Sequence, residues 1–168
     1  MRDSHSNDKF IFLGGIEAGK TTLFNALLGI DIAATKTQSL NFEDKLIDTP
    51  GEFFSHPRLY SALITTTIDV DTIVYVHPAN VFEYRMPQGL LEIYADKTIL
   101  AVITKIDLED ADPQRVKQIL LDNNFRGEIL MVSAYQLETL ETLRLQLNLP
   151  QVIATLHKHG TDANLLKN

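Results

Sequence analysis

A doubly wound α/β fold, three layers deep with a mostly parallel sheet between two layers of helices, is predicted by three features of the sequence. Apolar, β-branched runs alternate along the chain with segments of helical spacing. Two of those runs, TIVYV at 72–76 and TILAVI at 98–103, carry no charge at all, as expected of strands covered on both faces. A polar cluster follows each of four runs, after Leu13, Ile47, Ile103 and Val132. In sheets of this kind ligands collect beyond the carboxyl ends of the strands, so the four clusters are expected along one edge.

The elements follow in order. Residues 9–13 (KFIFL) form a short apolar strand ending at Gly14, and residues 20–28 (KTTLFNALL) place Leu23, Phe24, Leu27 and Leu28 at helical spacing. Residues 39–42 and 46–48 can pair as a hairpin around the polar turn Glu43-Asp44-Lys45. A helix is predicted over 57–68, opened by Pro57, then a strand over 72–77. Residues 90–95 read as a helix, 98–104 as a buried strand, and 112–123 as a helix with Asp112 as its N-cap and Pro113 at its first position. The last strand is predicted at 129–132 and the closing helix at 136–147, with Leu137, Leu140, Leu143 and Leu147 on one face.

Bulk properties narrow the function classes. The 168 residues suffice for one domain with a two-sided core, expected over 9–149, with a polar extension over 1–8 and a short helix or loose tail over 150–168. A formal charge of −7 argues against nucleic acid or an anionic membrane as partner, since both demand a basic surface. The absence of cysteine removes disulfides and thiolate chemistry and suits a reducing compartment. No apolar run approaches a transmembrane length and the first eight residues are polar, so a cytoplasmic location is expected.

The chemistry begins at Gly14-Gly15-Ile16-Glu17-Ala18-Gly19-Lys20-Thr21, which fits the phosphate-binding pattern G-x-x-x-x-G-K-[ST] without insertion. Its glycines let backbone amides converge on phosphate oxygens, and the helix that follows adds the positive end of its dipole. Lys20 is expected to reach the β and γ phosphates, Thr21 to ligate Mg²⁺, and Thr22 to lie beside the bound nucleotide. Asp48-Thr49-Pro50-Gly51 is an ordinary turn sequence in isolation. Following a strand that lies beside the loop, Asp48 can hold the Mg²⁺ shell and the Gly51 amide can meet the γ phosphate. Thr104-Lys105-Ile106-Asp107 and Ser133-Ala134 each come straight off a strand. A carboxylate at Asp107 can accept from the N1–H and exocyclic amine of guanine, a donor pair that adenine lacks. The Lys105 stem can lie over the purine and the Ala134 amide can donate to O6.

Loop, DxxG, [NT]KxD and SA in this order resemble the GTPase domain of the translation-factor-related P-loop GTPases, over residues 9–147. The phrases GKTTLFNAL, KTQ, IDTPGE, HPRLYSALITT, DVDTIVYVH and ITKID are similar to the small GTPase-like proteins of ethanolamine and propanediol utilisation, the EutP/PduV family. The resemblance implies a compact P-loop NTPase, a small G-domain, with GTP or GDP and Mg²⁺ as ligands. It also implies a place in bacterial microcompartment metabolism, with a pathway or microcompartment protein as partner. It assigns Thr37, within KTQ, as the switch threonine that closes on Mg²⁺, with Thr35 as the rival assignment. Both threonines also suit a strand start.

Against that family pattern the catalytic set Lys20, Thr37, Gly51 and Glu52 has an unusual member. Glu52 stands where many GTPases carry a water-orienting glutamine, and a carboxylate there repels a triphosphate. Ile16 narrows the place where an arginine finger would enter, and Glu17 stands where potassium-activated relatives often have asparagine. Thr104 replaces the commoner asparagine, which lessens the bracing of the loop expected from that residue. A GTP-binding switch with slow hydrolysis is therefore expected. A small-metabolite phosphotransferase is the alternative, for which Arg58 and Arg85 are the candidate clamps, and nucleotide binding with no turnover is a third reading. His157 and His159 read as a solvated pair, His56 as a helix-start residue.

Overall fold

Strand β1 (Phe10–Leu13) is buried along its whole length and sends alternate side chains to opposite faces of the sheet. Ile11 and Leu13 enter one core, Phe10 and Phe12 the other. The structure, a computed structural model, describes residues 8–29 and 45–149. Around β1 lie β2 (Leu46–Asp48), β3 (Thr72–Pro78), β4 (Thr98–Thr104) and β5 (Ile129–Met131) in the order β2-β1-β3-β4-β5. Every described pairing is parallel, with Phe12 opposite both Asp48 and Val74. Strand β2 is added on one side of β1 and β3 on the other, so the strand order reverses there and puts a switch point at the carboxyl end of β1. Gly14 follows there.

Two cores follow from the alternation. Helices α1 (Lys20–Gly29) and α6 (Leu137–Gln146) cover one face through Leu23, Leu27, Leu140 and Leu143. The other face is covered by α2 (Gly51–Ser55), α3 (Tyr60–Thr66), α4 (Leu90–Ile93) and α5 (Pro113–Asp122), through Phe54, Leu63, Leu90, Val116 and Leu120. Each of these fully buried aliphatic or aromatic side chains contributes roughly 1.5–3 kcal/mol by leaving water. Asp112 caps α5 as expected, accepting from the Arg115 amide at 3.0 Å with Pro113 behind it.

The predicted three-layer doubly wound sheet is present, and the local differences have physical causes. The helix expected over 57–68 is divided: Pro57–Leu59 is a 3-10 turn and α3 ends at Thr66. Pro57 holds His56 in extended backbone, with φ −120° and ψ 116°. That stops a preceding helix, α2, which the turn-like Pro50-Gly51 concealed. Helix α4 ends at Ile93, two residues early. Strand β5 ends at Met131, although the Val132 amide still donates to the Ile103 carbonyl at 2.8 Å. The hairpin segment 39–42, residues 1–7 of the polar extension expected over 1–8, and the tail over 150–168 lie outside the described residues. Among the described residues no helix is long and apolar enough to cross a membrane.

One polar pair lies inside the first core. The Tyr75 hydroxyl and His77 Nδ1 are 2.8 Å apart, and His77 Nε2 is 2.9 Å from the Val81 carbonyl. A carbonyl only accepts, so Nε2 carries the proton and the tyrosine donates to Nδ1. Burial pushes the His77 pKa down, against the Val81 carbonyl, which raises it; Arg85 lowers it further. The unfolded chain therefore takes up this proton at higher pH than the folded one, and stability falls as pH drops below the ordinary histidine value of about 6.5. The expected slope is at most about 1.4 kcal/mol per pH unit until the folded pKa is reached. Urea unfolding between pH 7.5 and 5 measures it, and His77→Gln is expected to flatten the curve by that amount.

Candidate nucleotide-binding site

The turn after β1 is shaped by contacts that only glycine permits. A Cβ on Gly14 would lie 2.4 Å from the Val76 carbonyl oxygen, and Gly19 adopts φ +89°, a conformation nearly free for glycine alone. Lys20 opens α1 and is buried; its Nζ donates to the carbonyls of Gly14 at 2.8 Å and Gly15 at 2.9 Å. Burial lowers the Lys20 pKa, while the nearby carboxylates of Asp48 and Glu52 raise it. Among the described residues the amides of Gly19, Lys20 and Thr21 donate to no backbone carbonyl, so they stand available at the N-terminus of a ten-residue helix.

Two neighbouring strands fix this loop. From β4, the Thr104 hydroxyl donates to the Ala18 carbonyl at 2.6 Å and lies 3.4 Å from that of His77. Lys105, at φ 59°, extends Nζ to the Glu17 carbonyl at 2.7 Å. From β2, the Thr49 hydroxyl donates to the Phe12 carbonyl at 2.6 Å, which pins the start of the Asp48–Gly51 turn to β1. A Cβ on Gly51 would sit 2.8 Å from the Ile16 amide nitrogen, so this turn lies directly against the loop. Thr21 Oγ1 donates to Asp48 Oδ2 at 3.0 Å, and Asp48 Oδ1 is buried without a hydrogen-bond partner among the described residues. A buried acceptor beside a hydroxyl is a hard oxygen set of the kind Mg²⁺ takes. The residues fit that ion.

These contacts bound a cleft of about 560 Å³ whose lining includes Gly19, Lys20, Thr22, Asp48, Gly51 and Glu52. A second pocket of about 220 Å³ adjoins it, sharing Gly19 and Thr22, with Lys105, Asp107, Ala134 and Tyr135 in its walls. Ser133 is buried beneath it, its amide donating to Thr139 Oγ1 at 3.0 Å and its hydroxyl accepting from the Tyr135 amide at 3.1 Å. The family described as "Ethanolamine utilisation - propanediol utilisation", PduV-EutP, matches residues 7–149. The chain belongs to that family. It is 48% identical over 136 residues to "Probable acetate kinase EutP" of Salmonella typhimurium, covering 80% of this chain and 86% of that one. It is 30% identical over 111 residues to "Propanediol utilization protein PduV" of Citrobacter freundii, covering 66% and 72% of the two chains. The solved FeoB G-domain from Methanococcus jannaschii superposes with a TM-score of 0.58 at 18% identity, over 84% of this chain and 95% of that one. That likeness concerns the fold, which is the α/β P-loop NTPase fold.

In this PduV-EutP chain all four predicted clusters meet at one sheet edge. Ile16 to Thr22, Asp48, Gly51 and Glu52 surround the larger cleft, with the Gly14 and Gly15 carbonyls held by Lys20, and Thr104, Lys105, Asp107 and Ala134 surround the smaller pocket. Ile16 is half exposed at 51% and faces the cleft. Thr37 and its rival Thr35 lie outside the described residues, as do His157 and His159. His56 is exposed and makes no side-chain cap. Arg58 and Arg85 line neither pocket; Arg85 lies 4.0 Å from Glu83. Sequence reasoning missed the Thr49 pin, the Tyr75–His77 pair and the place of Tyr135. For Tyr135 the signal was its position directly after Ser133-Ala134.

The loss of bracing expected from Thr104 is met in part by its hydroxyl, which reaches the loop by itself. Thr104→Val keeps the shape and deletes the donor, leaving the Ala18 carbonyl without it. The expected cost is about 1–3 kcal/mol, with weaker nucleotide binding. Thr104→Ser is expected to stay within about 1 kcal/mol of the parent in urea unfolding.

Proposed function

We propose that this chain is a Mg²⁺-dependent GTP-binding switch with slow GTP hydrolysis, acting in ethanolamine or propanediol utilisation. The observation that carries the reading is the junction of the two pockets at Gly19 and Thr22. One offers a phosphate cradle with a lysine and a Mg²⁺ set; the other places Asp107 and the Ala134 backbone within one small volume. The amides of the loop and the α1 dipole bind the phosphates, and Lys20 exchanges its loop carbonyls for phosphate oxygens. Thr21 and Asp48 would hold Mg²⁺, which when bound neutralises charge on the β and γ phosphates. Gly51 packs with no room for a side chain against Ile16, and its amide senses the γ phosphate, so loss of that phosphate releases the Asp48–Gly51 turn and α2. Asp107 reads the N1–H and amine of guanine. Glu52 is exposed in the cleft and, as a carboxylate, disfavours the charge that builds up during hydrolysis. The family supports the pathway, and the microcompartment or pathway partner is part of the same proposal.

The second reading, a phosphotransferase making an acyl phosphate, is favoured by the printed name of the Salmonella relative. A carboxylate acceptor brings another negative charge to the phosphates and needs a positioned cation. Lys20 is taken up by the phosphates in this reading and Lys105 by the Glu17 carbonyl, and among the described residues no arginine lines either pocket, which favours the switch. Asp107→Asn decides the base assignment: GTP affinity is expected to fall at least about tenfold while xanthosine triphosphate binding rises, because the amide donates to the xanthine oxygen. Equal specificity before and after the change would sink it. Acetate added to the same protein with Mg²⁺ and GTP or ATP is expected to give no acetyl phosphate.

A further inference from the structure

Helix α2 lacks the means to stand alone. It runs for five residues, Gly51–Ser55, with Pro50 before it and no side-chain cap, and a helix of that length does not persist in water by itself. Its first two residues nevertheless lie at the larger cleft, Gly51 against Ile16 and Glu52 in the lining. The helix is held by packing. Phe54, 3% exposed, lies on the ring of Tyr75, with centroids 5.6 Å apart and the planes inclined by 30°. Tyr75 is in turn fixed at its far end, where its hydroxyl donates to His77 Nδ1 at 2.8 Å and the His77 Nε2–H reaches the Val81 carbonyl at 2.9 Å. Three buried side chains from α2 and β3 thus form a row that ends on the backbone of the loop after β3.

Resting on the switch reading above, we propose that Tyr75 and His77 are positioning residues, which hold the seat on which Phe54 docks and so keep Gly51 and Glu52 at the larger cleft. The row works only with a neutral His77. Burial raises the Tyr75 pKa, so the hydroxyl keeps its proton and, being buried, needs an acceptor. His77 Nδ1 is that acceptor, and among the described residues the hydroxyl has no other. A proton on Nδ1 turns it into a second donor and leaves the tyrosine O–H unmatched. Strands β1 and β4 set Leu13, Ala101 and Ile103 beside the pair in register, and α2 brings Phe54. The titratable groups that act on the pair come from the loop after β3: Tyr84 and the cation of Arg85, which opposes a second positive charge on His77. Undocking of α2 uncovers the Tyr75 ring and opens His77 to water, where the imidazole takes a proton at higher pH than inside the closed row. Acid therefore favours the undocked form. The switch has two inputs: the γ phosphate draws α2 in through Gly51, and a proton on His77 releases it at Phe54.

The test uses the full chain and its Phe54→Leu, His77→Leu, His77→Gln and Phe54→Leu/His77→Leu variants, with two readouts. Hydrogen exchange of the nucleotide-free proteins is expected to lose about three- to tenfold of its protection over residues 51–56 in both single leucine variants, with α1 unchanged. Calorimetry with Mg²⁺ is expected to give a GTP-to-GDP affinity ratio lowered about three- to tenfold in the same two variants, through GTP and not GDP. The double variant is expected to lose no more than the larger single, because both changes open one seat. His77→Gln keeps an acceptor for Tyr75 and a donor for Val81, so it is expected to stay within about twofold of the parent at pH 7.5. Between pH 7.5 and 5.5 the parent ratio is expected to fall relative to that of His77→Gln, by at most about tenfold per pH unit below about 6.5; both proteins meet the same nucleotides, so phosphate titration cancels. Parent-like protection over 51–56 in both leucine variants overturns the proposal, as does an equal loss of GTP and GDP or a parent ratio that follows His77→Gln at every pH. A parent that binds no guanine nucleotide while 51–56 responds as expected defeats the nucleotide reading and leaves the seat standing; a parent that binds GTP beside unaffected leucine variants defeats this proposal alone.

Discussion

The hydroxyl of Thr104 meets the carbonyl of Ala18 across 86 residues of chain, and the geometry of both pockets depends on that tie. It joins the end of β4 to the middle of the loop after β1, and each side supports one half of the site. On the loop side, the tie fixes the peptide that precedes Gly19 and Lys20. On the strand side, it sets the point from which Lys105 turns back at φ 59° to seize the Glu17 carbonyl. The two pockets are therefore one mechanical unit. A threonine supplies that junction with a single donor, so there is little redundancy in it.

Electrostatics act on the same small volume in opposed directions. Lys20 is buried against two carbonyls with Asp48 and Glu52 near it, which holds a cation at the point where phosphate charge would gather. Asp48 is half used by Thr21 and keeps a buried oxygen for an ion. Glu52 also lies in the lining, where among the described residues Lys20 is the cation it shares with Asp48. On the function proposed above, a site arranged in this way would bind a triphosphate with Mg²⁺ and do little to speed its cleavage. That balance suits the proposed switch, in which Gly51, packed against the loop, would be the moving part.

Much of this was legible in the sequence because parallel strands in a two-sided sheet leave a plain trace. TIVYV and TILAVI have no solvent face to mark, and glycines at 14 and 19 with Lys20 between loop and helix leave few other readings. Helix α2 was hidden because Pro50-Gly51 is also a good turn, and only packing of Phe54 on Tyr75, with ring centroids 5.6 Å apart, makes a helix there pay. The break before Pro57 lay in view, since proline constrains the residue before it. The Thr104 and Thr49 ties were beyond reach. A hydroxyl's partner depends on which strands become neighbours, and short-range patterns carry no register across 37 or 86 residues. The His77 pair was concealed by its strand, where a histidine at the end of an apolar run has no periodicity to betray it.

The central claim is that the two joined pockets hold a guanine nucleotide with Mg²⁺. Competition calorimetry of the unmodified chain with GTP and ATP, each with Mg²⁺ and with chelator, tests it most directly. The account predicts GTP binding at least about tenfold tighter than ATP, weakened when the ion is removed. ATP binding as tight as GTP, indifferent to Mg²⁺, would contradict both the role of Asp107 and that of the Thr21–Asp48 pair.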